Sequence, residues 1–354
     1  MRPRRLPKHD GHTYPPGVQP PLSSWSSLAT EPWSPLSGGL INDTFVVGDP
    51  PRAVVQRLHL IFDPVLHRDI EAVTAHLAQR GMVTPRLLRT EDGELWTIDA
   101  EDRCWRALSW VPGVSHDTLS GPALAAEAGA LVGQWHAATE DLEHSFAFTR
   151  PGAHDTDTHM QTLRDALRSH PSHPLRDEVA PLAEQILRGW DAWEGRLNGP
   201  TRIAHGDLKI SNLRFDLEGR GICLLDLDTM AALPLDIEMG DAMRSWCNPR
   251  GEDVSEARFE APLFSAAIGA WLDACPQPAE EREALVPGVE RICLELAARF
   301  AADALNESYF GWDATRFATR GEHNLLRARG QASLASSVVE QRSMLSAMTA
   351  SPRV

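Results

Sequence analysis

The run His205-Gly206-Asp207-Leu208-Lys209-Ile210-Ser211-Asn212 sets a carboxylate, an ammonium group and an amide close together, and Asp226 follows at the end of an apolar stretch. Between them, "LRFD", "LEGRG" and "ICLLDLD" read as two short strands joined by a Gly-containing turn. That hairpin brings Asn212 and Asp226 to one end, with Asp207 in the loop just ahead. Carboxylate and amide oxygens are hard donors, and Mg²⁺ takes few of them from a protein, leaving positions for phosphate oxygens and water. Asn212 and Asp226 are the candidate metal ligands. Asp207 is the candidate base that takes the proton of an attacking hydroxyl and aligns it with a γ-phosphoryl group. Lys209 is the candidate cation for the transferred group, and His205 is a candidate loop anchor through a backbone hydrogen bond. A lone His-Gly-Asp is usually a turn. The amide and the second Asp at their fixed spacing turn it into a phosphotransfer pattern.

Elements that hold such a site in place can be read on either side of it. "TFVV" and "AVVQRL" are β-rich and separated by the turn "GDPP". The spacing of Val65, Ile70, Val73 and Leu77 predicts a helix capped near Asp63 and stopped at Gly81. "RLLRTEDGELWTID" reads as a hairpin turning at Asp-Gly, and "CWRALSWVPGV" as a strand running into a Pro-Gly break. After residue 120 the pattern becomes long helices, and β-like sequence returns only around 212–228. The expected organisation is α+β: a Pro-rich tail over 1–24 with no packing role, a small β-rich lobe over 25–110, and a larger, mainly helical lobe over 111–354.

With 42% hydrophobic residues in 354, the chain can bury a sizeable core. Its net charge of −15 argues against a nucleic-acid partner, because that affinity comes mostly from Lys and Arg neutralising phosphates. Five scattered cysteines form no metal-ligand or disulfide pattern, which points to a reducing, cytoplasmic setting. No apolar run approaches membrane-spanning length, so no membrane partner is expected. Oligomeric state is not legible here.

"HGDLKISNLRF" with "LLDLD" resembles the catalytic loop and metal motif of the aminoglycoside phosphotransferase/choline kinase superfamily. The resemblance implies a protein-kinase-like bilobal fold with ATP between the lobes and ATP and Mg²⁺ as cofactors. It assigns Asp207 as the base and Asn212 and Asp226 as magnesium ligands, and places backbone groups for adenine near Leu108–Val111. "LSGGLINDTFVV" then reads as a phosphate-covering turn, with Gly38 and Gly39 admitting an anion to the backbone and Asn42 and Thr44 adding donors. The family's phosphate-binding Lys is replaced by Gln56 or Arg57, of which only one can face a given side of a strand. Asp69 and Glu71 are the candidate partners of Arg57.

Beyond the catalytic loop, "GGLINDTF", "VVQRLH", "WRAL", "HDT", "LDLDT", "ARFAADALNESYF" and "HNLLRARGQ" look similar to the N-acetylhexosamine kinase branch. That branch phosphorylates the anomeric hydroxyl of N-acetylated hexosamines, which implies a sugar as the small-molecule acceptor. Arg299 and Asn306 on a helix, with Tyr309 and Trp312 beyond it as an aromatic platform, are the candidate sugar contacts. His154-Asp155-Thr156 reads as a helix cap, and Asp241 with Arg244 as a structural pair of the second lobe. Two alternatives remain open: a kinase of an aminoglycoside, choline-like or amino-acid alcohol, or a non-catalytic nucleotide-binding regulator.

Overall fold

The computed structural model describes residues 18–36, 42–150 and 152–350. Strand alternation builds its first unit. β1 (Trp33–Pro35), β2 (Asp43–Val47) and β3 (Ala53–Arg57) pair antiparallel in succession. After α1 (Leu66–Gln79) come β4 (Leu87–Leu88), β5 (Thr97–Ile98) and β6 (Cys104–Ser109), with β6 completing the sheet against β3. Phe45, Val47, Ala53, Val55, Trp105 and Ala107 point to one face and form its core. The expected hairpin over residues 86–99 is corrected in its pairing. Gly93 does turn the chain, its amide donating to Thr90 O, but β4 and β5 each pair with β6 and not with each other. The two strands are too short to form a ladder of their own, and the longer β6 offers an edge to both.

The expected tail also needs correction where it is described. Val18 and Leu22 pack on the sheet core beside Trp25 and Leu28, and the Trp25 indole donates to Leu88 O at 2.8 Å. A short 3₁₀ turn over Leu22–Ser24 is what puts Leu22 and Trp25 against the same core. Among the described residues, the unit covers those up to Gln79, Val83–Pro112 and the segment Ser145–Phe148, whose amides at Ala147 and Phe148 donate to the buried Asp69 carboxylate at 2.8 and 3.0 Å.

The second unit is mainly helical: α2 (Pro122–Thr139), α3 (Thr156–Ser169), α4 (Arg176–Asp191), α5 (Leu235–Trp246), α6 (Ala261–Ala274), α7 (Ala279–Asn306) and α8 (Arg320–Ala350). Asp155 caps α3, accepting from Thr158 N at 3.0 Å. Glycines let helices approach closely. A Cβ at Gly129 of α2 would lie 2.0 Å from Ala267 O of α6, and one at Gly288 of α7 would lie 2.2 Å from Asp236 O of α5. Two β ribbons sit among the helices, where the sequence indicated one: β7 (Thr201–Ala204) with β10 (Ala231–Pro234), and β8 (Leu213–Phe215) with β9 (Gly221–Leu224). Among the described residues no helix is long and apolar enough to cross a membrane.

Candidate active site

The two ribbons fix the ends of both candidate loops. Residues 205–212 run from the end of β7 to the start of β8, and residues 225–230 run from the end of β9 to the start of β10. Ala204 pairs with Ala231 and Leu213 with Leu224, and Leu225 N donates to Asn212 O at 2.7 Å. Asn212 and Asp226 therefore stand at the same end of the β8–β9 ribbon. His205 stitches the loops together: its Nε2 lies 2.7 Å from Leu225 O, while its own carbonyl accepts from Thr229 Oγ1 at 2.9 Å. Gly206 is confined to glycine, since its φ is +78° and a Cβ would lie 2.2 Å from Thr229 O. Asp226 itself takes a left-handed φ of +61°, a conformation that needs its surroundings to enforce it.

A residue the sequence reading missed carries much of this geometry. Glu238, buried on α5, accepts from His205 N at 2.7 Å and Gly206 N at 2.9 Å. Two turns further along, Ser245 Oγ accepts from Ile210 N at 3.3 Å, and the Trp246 indole donates to Leu208 O at 2.7 Å. The loop is thus laid along α5 by its backbone. No sequence spacing signals this pairing, because Glu238 lies 33 residues from His205.

Within the loop, Lys209 Nζ is 2.7 Å from Asp207 Oδ2 and 4.0 Å from Asp226 Oδ2. Asn212 Nδ2 donates to Asp207 O at 2.9 Å and to Asp207 Oδ2 at 3.1 Å. Burial raises the Asp207 carboxyl, but the charge and hydrogen bond of Lys209, with help from His205 and Arg244, outweigh it and hold the group below the usual carboxylate range. Lys209 is likewise penalised by burial, yet Asp207 and Asp226 keep it above its ordinary value. At neutral pH the pair is an ionised acceptor beside a fixed ammonium.

The donor set suits a hard divalent ion. Asn212 spends its NH₂ on Asp207, its Oδ1 accepts no hydrogen bond among the described residues, and the Asp226 carboxylate is partly exposed. Among the described residues no group of three or more His, Cys, Asp or Glu forms a metal cage. One amide and one carboxylate match an ion that fills its shell with phosphate oxygens and water.

The nucleotide-side candidates fall differently. Gly38 and Gly39 lie outside the described residues. Strand alternation sends Arg57 to the core face, where it pairs with Asp43 at 2.6 Å and rests on the Trp105 ring, so neither Asp69 nor Glu71 is its partner. Glu71 instead pairs with Arg89 at 2.9 Å. Gln56 takes the opposite face, in register with Thr44 and Arg106. Its Oε1 accepts twice from the buried Arg106 guanidinium, at 2.9 and 2.7 Å, and its Nε2 donates to Thr44 Oγ1 at 3.1 Å. Asn42 Oδ1 is occupied by His59 N at 2.9 Å. Arg106, inside "WRAL", is a buried cation on this face that reading residue by residue passed over.

The candidate sugar contacts are only partly assembled. Arg299 lies over the rings of Tyr309 and Phe310 at 5.8 and 5.4 Å, and Tyr309 is exposed. Among the described residues Trp312 makes no ring contact with Tyr309, so the two do not form one stacked platform. Asn306, at the last turn of α7, is 2.9 Å from His170 Nε2.

The family model described as the phosphotransferase enzyme family, APH, matches residues 32–275. No curated protein matches the chain in sequence. Solved structures share the fold. An aminoglycoside phosphotransferase from Alicyclobacillus acidocaldarius has 15% identity and a TM-score of 0.58, covering 95% of this chain and 98% of its own. A microcompartment-associated aminopropanol kinase has 16% identity and a TM-score of 0.60, over 92% and 96%. Amicoumacin kinase, solved in complex with AMP-PNP, Ca²⁺ and Ami, has 11% identity and a TM-score of 0.56, over 83% and 87%. These likenesses show a protein-kinase-like α+β fold.

Proposed function

The chain belongs to the phosphotransferase enzyme family, and from that premise we propose that this small-molecule kinase moves the γ-phosphoryl group of ATP onto a sugar hydroxyl, the anomeric hydroxyl of an N-acetylated hexosamine. The observation that carries the reaction class is the convergence of Lys209 and Asn212 on the Asp207 carboxylate, with Asp226 beside Lys209. Asp207 is the base: it is ionised at neutral pH and fixed by two donors, so it can take the acceptor's proton as the new P–O bond forms. Lys209 offsets charge on the group in transfer. Asn212 and Asp226 are the residues that would hold Mg²⁺, and the ion would supply positive charge to offset that of the phosphates. On the first unit, Arg106, aimed by Gln56, is the phosphate-facing cation in place of the missing Lys, while Arg57 is structural. The intact acidic and amide set speaks against a purely regulatory role. Five buried cysteines in no disulfide framework suit a reducing cytosol.

The sugar assignment rests on the distributed likeness to the hexosamine kinase branch. The aminopropanol kinase resemblance in fold keeps an amino-alcohol acceptor as the reading to be excluded. The test is ADP release across neutral sugars, N-acetylated hexosamines, aminoglycosides, choline and amino alcohols. N-acetylated hexosamines should give the highest kcat/KM. Asp207→Ala should lower kcat by roughly 10²–10⁴-fold with ATP still bound. Undiminished turnover in that variant removes the mechanism, and turnover with amines alone removes the sugar.

A further inference from the structure

The stretch "HNLLRARGQ" lies at the start of α8, and the side chains of His323, Asn324 and Arg327 turn back onto the 307–319 connection from α7. The first part of that connection is fixed by a carboxylate. Asp303, buried near the end of α7, accepts from the amides of Ser308, Tyr309 and Phe310 at 2.9, 2.9 and 2.8 Å, and from Asn324 Nδ2 at 2.8 Å. Arg327 Nη1 then donates to Gly311 O at 2.8 Å. Neither of these grips involves a histidine.

The second part is held differently. His323 is buried; its Nδ1 accepts from Asp313 N at 3.1 Å, and its Nε2 lies 2.8 Å from Asp253 Oδ1. Phe317 lies flat on the imidazole, with centroids 4.1 Å apart and planes 10° from parallel. The Asp313 carbonyl accepts from Arg316 N and Phe317 N, and its carboxylate accepts from Thr315 N and Oγ1. Asp313–Phe317 is therefore one folded turn resting on one ring.

A backbone N–H only donates and an ionised carboxylate only accepts, so these contacts determine both ring nitrogens. Nδ1 presents its lone pair to Asp313, and Nε2 carries its hydrogen to Asp253. Burial raises the Asp253 carboxyl, but Arg327 and His323 outweigh that and hold it below the usual carboxylate range. A further proton can enter only at Nδ1, where it sets two donors against each other across 3.1 Å. The surrounding charges are mixed. Asp253, from the segment between α5 and α6, favours an imidazolium, while Arg327 on α8 and Arg316 in the connection oppose it. The Asp313 carboxylate is turned to Thr315, and Glu322 to Ala318 N. Burial and Arg327 prevail over Asp253 and hold the ring below the ordinary histidine value.

We propose that His323 is a pH-operated latch on the α7–α8 connection: the neutral ring fastens the turn Asp313–Phe317 to α8, and protonation at Nδ1 releases that turn while Ser308–Gly311 stays held. The fastened ring binds its proton less tightly than the released one. Falling pH therefore favours release, beginning near the ordinary histidine value of about 6.5. The latch needs no substrate and stands apart from the phosphotransfer reading.

The test follows amide hydrogen exchange of the full chain by mass spectrometry at about pH 7.5 and about pH 5.5, corrected for intrinsic rates, in wild type, His323→Asn and His323→Phe. Wild-type protection over 313–319 should fall by about three- to tenfold, the upper figure being what one pH unit below about 6.5 allows. Protection over 308–311 should not change. His323→Asn puts an amide oxygen near the place of Nδ1 and cannot titrate, so its protection over 313–319 should be the same at both pH values. His323→Phe keeps an aromatic ring but offers no acceptor, so the turn should be released at both. Wild-type protection over 313–319 that ignores pH overturns the latch. So does an equal fall over 308–311, or the wild-type fall repeated in His323→Asn. Should a variant fail to fold, the wild-type contrast between the two segments decides alone.

Discussion

Arg57 and Arg106 are both buried arginines on neighbouring strands, one residue apart in facing, and the difference in face separates their roles. Arg57 closes an ion pair with Asp43 against Trp105 on the core side, so Arg57→Met should destabilise the first unit and leave nucleotide affinity in the folded fraction nearly unchanged. Arg106→Met should do the reverse to function, weakening nucleotide binding tenfold or more by fluorescence titration. Equal nucleotide affinity in wild type and Arg106→Met would return the phosphate role to another group. Glu238 is the residue on which the catalytic loop's backbone depends. Burial pushes its carboxyl up, but His136, His205 and the Gly206 amide outweigh burial and hold it below the usual range. A lowered native pKa means its stabilisation is complete above the unfolded carboxylate range and fades as pH falls through the native value. Glu238→Gln leaves a buried amide donor poorly satisfied, at a cost of about 1–3 kcal/mol near neutral pH. Denaturant titrations of the two proteins should converge as pH drops below about 4. A gap independent of pH would refute the charged-acceptor role.

Helices α2 and α6 illustrate how an element is specified by what it lacks. Gly129 and Gly133 sit one turn apart on α2, and a Cβ at either would lie 2.0 or 2.7 Å from a backbone oxygen of α6. Gly129→Ala cannot be absorbed by a side-chain rotation, because the obstacle is main chain. It should cost 1–3 kcal/mol or more, roughly the overpacking range, despite Ala's better helix propensity. A midpoint in urea equal to wild type would show that the helices can part freely. The same example marks what a sequence discloses. Periodicity exposed α1, whose Leu66, Ile70, Val73 and Leu77 share one buried face, while the long helices α2, α7 and α8 showed through uninterrupted helix-favouring sequence and not through a single apolar stripe. The β8–β9 ribbon and its Asn212/Asp226 end were legible because turn, strands and candidate ligands are contiguous. The pairing of β4 and β5 with β6, the β7–β10 ribbon, and Glu238 beneath His205 were not, since each depends on a partner far along the chain. Arg57 against Gln56 could not be settled from two adjacent polar residues; the register with Asp43 and Trp105 decided it.

At the scale of the whole chain, a molecule of net charge −15 that binds a nucleotide polyanion must supply local positive charge. Lys209 is already shared between Asp207 and Asp226, so it is only partly available to phosphate. The proposed metal site adds a carboxylate, Asp226, which repels a nucleotide that arrives without its cation. Binding should therefore depend steeply on the divalent ion. With Mg²⁺ and AMP-PNP at a hundred times its Kd, the folded state should gain about 2.7 kcal/mol, seen as a rise in Tm. With EDTA in place of Mg²⁺ most of that gain should vanish at the same nucleotide concentration. Asp226→Asn weakens the hold on the ion but also removes the repulsion. It should lower the gain with Mg²⁺ while raising, or at least preserving, the small gain without it, narrowing the gap between the two conditions. If wild type were stabilised equally with and without the ion, or if Asp226→Asn left the gap unchanged, Asp226 would not be holding a cation between this acidic molecule and its nucleotide.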